Sequence, residues 1–77
     1  MNRSLTYFPQ RMRVAMAFAG VKGIDLARDT GIPQSRISEL LGGKKEPTVG
    51  NAIAIAQRLN VTLDWLFEDK EPLLECA

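Results

Sequence analysis

The stretch Lys22–Lys45, KGIDLARDTGIPQSRISELLGGKK, constrains this chain more than any other. Two segments of helical spacing flank Gly31, where a tight break must fall. The first, expected over Gly23–Thr30, carries Leu26 and Ala27 inward. The second, expected from about Pro33 to Gly42-Gly43, carries Ile37, Leu40 and Leu41 inward and leaves Gln34, Ser35, Ser38 and Glu39 facing out. Gly31 supplies a left-handed position at low steric cost. Pro33 presets φ where the second segment begins. Asp25, in the first turn of its segment, favours the helix dipole.

The flanking sequence supplies three more helices. Pro9 suits a first turn, because its missing N–H costs nothing there. The helix it opens is expected to run to about Ala19 and stop at Gly20, with Met12, Ala15 and Ala19 inward and Val14, Ala17 and Phe18 outward. Pro47-Thr48 opens another, with Thr48 as cap and an inward stripe of Val49, Ala52, Ile53, Ala56 and Leu59. Asn60 takes the left-handed position after Leu59, and Thr62 caps a last short helix, TLDWLFE, with Leu63, Leu66 and Phe67 inward. The expected organisation is an all-α fold of five helices: residues 1–8 an N-terminal arm, 9–67 the folded domain, and 68–77 a loosely held acidic tail.

Composition removes several function classes. At 77 residues and 45% apolar, the chain has material for one domain. It has no histidine, and its one cysteine, Cys76, leaves neither an internal disulfide nor a zinc cluster to assemble. Gly43-Lys44-Lys45 lacks the earlier Gly and the following Ser/Thr of a phosphate loop. Neither catalysis, metal nor cofactor is expected. No apolar run reaches the roughly 18 residues of a membrane span, and MNRSLTYFPQ lacks an apolar signal core, so a cytoplasmic location is expected.

The net charge of +1 conceals a split. Residues 1–45 carry eight bases and three acids, +5, whereas residues 46–77 carry two bases and six acids, −4. Such asymmetry suits a basic face toward phosphates and an acidic rear. On the exposed side of the second segment, a Gln34 amide matches the donor and acceptor that adenine presents in the major groove of duplex DNA. Ser35 and Ser38 donate or accept, and Glu39 accepts from cytosine N4. Arg36 has two roles open: a clamp on guanine or phosphate, or an i, i+3 ion pair with Glu39 worth about 0.2–0.5 kcal/mol. Lys44 and Lys45, in the loop that follows, suit phosphate contacts that fix position without reading sequence, as does Lys22.

From Arg11 to Phe67 the chain resembles the phage repressor and Cro type, or lambda repressor-like family, of helix-turn-helix domains. The likeness rests on Leu26-Ala27, Gly31-Ile32, Ile37-Ser38, Gly43-Lys44, Pro47-Thr48 and Leu59–Leu66, LNVTLDWL. It implies five helices, the third in the major groove, and a homodimer on a palindromic operator. Gln34-Ser35 looks like the start of such a recognition helix. Three positions depart: Gly23 replaces a phosphate-contacting Gln, Met16 and Leu41 replace an Arg–Glu pair, and Gly42 stands where Asn is frequent.

The expected function is therefore a DNA-binding transcriptional regulator, most simply a repressor. Val14, Phe18 and Trp65 form a candidate surface for a second copy or a protein partner; the other reading of the Val14 and Phe18 side is that the tail, with Leu73 and Leu74, folds back over it. That apolar side motivates an alternative, an antitoxin-type or other interaction module of the same fold; a third reading keeps the fold only as a scaffold.

Overall fold

A computed structural model describes residues 7–72. Among them are five helices and no strand: α1 (Phe8–Ala19), α2 (Gly23–Thr30), α3 (Gln34–Leu41), α4 (Val49–Leu59) and α5 (Leu63–Leu66). Local chemistry sets their ends. Gly20, Gly31 and Asn60 adopt left-handed φ of 69°, 80° and 61° after α1, α2 and α4. Thr48 and Thr62 accept hydrogen bonds from the amides of Asn51 and Trp65, at 3.1 and 3.0 Å, capping α4 and α5. Lys22 heads α2 with no side-chain cap of its own; its backbone N–H donates to the Asp25 carboxylate at 3.3 Å.

One apolar cluster joins all five helices. Phe8, Met12, Leu26, Ile37, Leu40, Ile55 and Leu66 are its largest fully buried members. α3 packs on α2 and α1, while α4 packs on α2, α1 and α5. Phe8 belongs to this core, its ring stacked on Phe67 at 5.2 Å, so the folded part begins within the expected arm. Arg3, on that arm, lies outside the described residues, as do Cys76 and the Leu73-Leu74 pair of the tail.

Several inward assignments shift. On α4 the buried residues are Ala52, Ile55, Ala56 and Leu59; Val49 and Ile53 are exposed, at 75% and 38%. The i, i+3, i+4, i+7 arc that reaches α1, α2 and α5 starts at Ala52, and Val49 lies in a first turn that none of the described residues covers. Leu63 likewise opens a helix of one turn and is 38% exposed. Ala19 is exposed at the end of α1, whereas Met16 is buried. Leu41 is half-buried against the same core, so apolar packing occupies the Met16 and Leu41 positions.

The largest departure is Arg11. Its spacing with Phe8, Met12 and Ala15 puts it on the core stripe of α1, and it is 2% exposed. Burial of a guanidinium is costly unless its donors are satisfied. Here Nε donates to the Trp65 carbonyl, Nη1 to the Lys70 carbonyl at 2.8 Å, and Nη2 to Glu68 Oε1 at 3.0 Å. The group also lies 4.2 Å from the Trp65 ring centroid, a cation–π contact. Residues 68–70 are thus clamped to α1 rather than loosely held.

Candidate nucleic-acid interface

α2, the turn at Gly31 and α3 give the bihelical unit its shape. The Thr30 hydroxyl donates to the Leu26 carbonyl at 2.6 Å and accepts from the Ile32 amide at 3.2 Å, locking the corner. Ile32, buried beside Ile37, seats the turn on the core. With Ile37 and Leu40 held beneath it, α3 turns its other side to solvent, where Gln34, Ser35 and Ser38 are exposed. A Cβ built on Gly23 would meet the Ile37 side chain at an ordinary 3.8 Å, so packing does not exclude a side chain at the head of α2.

The charged residues divide by partner. Arg36 Nε donates to Glu39 Oε1 at 3.1 Å, the ion pair that was one of its two open roles. Arg28 pairs with Asp29 and Asp25, and Arg58, on α4, reaches Asp29 at 2.7 Å. These bonds, Arg58's first and Arg28's second, hold the Asp29 carboxyl below the usual carboxylate range. Among the described residues, Lys22, Lys44 and Lys45 are exposed and without an acidic partner, Lys22 at the head of α2 and the lysine pair just after α3. Their positive charge flanks the polar side of α3 along the chain. Arg11, by contrast, is spent inside and adds nothing to that surface.

Gly42 and Gly43 shape the loop that carries the lysines. Gly43, at φ 75°, is the left-handed one, while Gly42 stays right-handed. Beside it Phe8, Pro9, Gly43, Lys45, Glu46 and Pro47 line a shallow polar hollow. Arg13, on α1, donates from Nη2 to the Leu41 carbonyl at 2.6 Å, across 28 residues of sequence.

The apolar surface residues fall apart. Phe18 is 60% exposed and Val14 half-buried, whereas Trp65 is half-buried beneath Arg11 and packs on the core. Arg11 and Arg13 escaped the sequence reading as supports for the fold. The signal for Arg11 was a charge at core spacing, and the two lie about 200° apart around α1, so they serve opposite flanks.

Among the described residues no helix is long and apolar enough to cross a membrane. A family model described as helix-turn-helix matches residues 19–66, more than half of the chain. No curated protein and no solved structure matches it.

Proposed function

The chain belongs to the helix-turn-helix family of DNA-binding transcription regulators, and on that premise we propose that it represses transcription as a homodimer on a palindromic duplex operator. The observation carrying this reading is the side of α3 that begins at Gln34: polar, uncharged at its N-terminal end, exposed, and backed by fully buried Ile37 and Leu40. In this role Gln34 and Ser35 meet base edges first, with Ser38 a turn further on. Glu39 contributes after exchanging Arg36 for a base, at a cost of about 0.2–0.5 kcal/mol for an exposed i, i+3 pair. Arg36, once released, joins Lys22, Lys44 and Lys45 on phosphates. One module of this size buries only about 600–1,000 Å² on DNA, and a second copy on a half-site about 34 Å away multiplies its affinity.

Selecting bound duplexes from a random pool tests this reading, since one motif reports specificity, symmetry and spacing together. On the selected duplex, Gln34→Ala is expected to relax one position per half-site, at about 1–3 kcal/mol. Lys44→Ala is expected to weaken all sequences alike and flatten the salt slope by about one unit. Equal losses on every sequence from both changes would contradict the assignment.

Phe18, exposed at 60% on α1, favours a second reading in which this face meets a protein partner, as in an antitoxin. Sedimentation of Phe18→Asp separates the cases. Loss of dimer assigns the face to self-association; an intact, DNA-binding dimer leaves it for a different protein.

A further inference from the structure

We propose that Arg13 is a positioning residue for DNA reading, holding the C-terminal end of α3 from a neighbouring helix. The inference rests on the DNA-reading assignment of α3 and adds a residue that makes no base contact in it. An α-helix leaves its last four carbonyls without intrahelical donors. In α3 these belong to Ser38, Glu39, Leu40 and Leu41. Three are met by the chain that follows: Gly42 N–H donates to Ser38 O at 2.9 Å, Lys44 N–H to Glu39 O at 2.9 Å, and Gly43 N–H to Leu40 O at 3.2 Å. The fourth, Leu41 O, is met by Arg13 Nη2 at 2.6 Å. α3 has no basic residue in its own last turn, and among the described residues the cationic side chain hydrogen-bonded to its terminal carbonyls comes from α1.

The same contact controls the lysine loop. Leu41 O sits at the junction between the reading helix and the Gly42-Gly43 pair, two residues with little conformational preference of their own. An anchor there fixes both the end of α3 and the direction in which Lys44 and Lys45 leave it. Recognition groups held by such supports keep their geometry; without them, contacts loosen by fractions of an ångström and selectivity falls first.

The test compares wild type, Arg13→Met and Arg13→Lys on a selected and a scrambled duplex, with amide hydrogen exchange on the free proteins. Arg13→Met is expected to lose about fivefold in affinity for the selected duplex, as for one charge-assisted bond at a helix end. Affinity for the scrambled duplex should stay within about twofold, with its salt slope unchanged. Exchange should quicken at Gly42–Lys44 and not within α4, and Arg13→Lys should restore both readouts in part. A uniform loss with the slope reduced by about one unit would make Arg13 a phosphate contact and overturn the proposal. So would wild-type selectivity and exchange that Arg13→Met leaves unchanged. If wild type itself binds the two duplexes equally, the reading of α3 falls and this role of Arg13 with it.

Discussion

α3 and α4 are neighbours in sequence and are held in opposite ways. α4 carries its own ends: Thr48 caps the first turn, Asn60 closes the last, and Arg58 sits near its C-terminus. α3 begins on Pro33, which offers no side-chain cap, and its last carbonyl depends on Arg13 of α1. α4 is locally self-sufficient, whereas α3, the helix proposed to read DNA, has its last carbonyl held by a neighbouring helix. The cation that α3 lacks in its own last turn is supplied by α1.

That contrast can be broken from beneath, from the caps and by pH, in descending order of effect. Leu40, fully buried, is the floor of α3; Leu40→Ala is expected to cost about 2–5 kcal/mol in denaturant unfolding and to abolish selective binding with it. Thr48→Ala, at the cap of α4, should cost about 1 kcal/mol of stability while leaving the ratio of selected to scrambled binding unchanged. An altered ratio would mean that α4 takes part in reading. The smallest effect concerns Asp29, which ties α2 to α4 through Arg58. Its carboxyl is depressed in the folded chain, so its contribution is complete above the unfolded carboxylate pKa and is lost as pH falls through the lower folded value. Unfolding curves of Asp29→Asn and wild type should therefore converge at acid pH and separate toward neutrality.

Much of this arrangement was legible in the residues, because it is written over short distances. Gly31, Thr48, Asn60 and Thr62 declare helix ends within three or four positions of the groups they satisfy. Leu26, Ile37 and Leu40 follow from spacing alone. The phase of α4 was harder to read: its apolar residues cover more than one face, and only the position of α1, α2 and α5 selects Ile55 over Val49 and Ile53. Arg11 and Arg13 were not legible as supports. Their acceptors lie from 28 to 59 residues away, and a charge on a helix reads as surface until the fold brings carbonyls to it. On the candidate site, the exposure of Gln34, Ser35 and Ser38 followed from the pattern beneath them, while the anchor at the far end of their helix did not.

The Arg11 clamp also says where this molecule can be cut. Its guanidinium finds acceptors at Trp65, Glu68 and Lys70, and two of the three lie past the helix-turn-helix match, which ends at residue 66. A version trimmed after Leu66 would keep every residue of the bihelical unit and strand a positive charge in the interior with most of its acceptors gone. A piece that extends to Lys70 keeps all three acceptors and is expected to be the more stable of the two. Transfer of the helix-turn-helix unit to another scaffold would keep Arg11 satisfied by carrying those residues along.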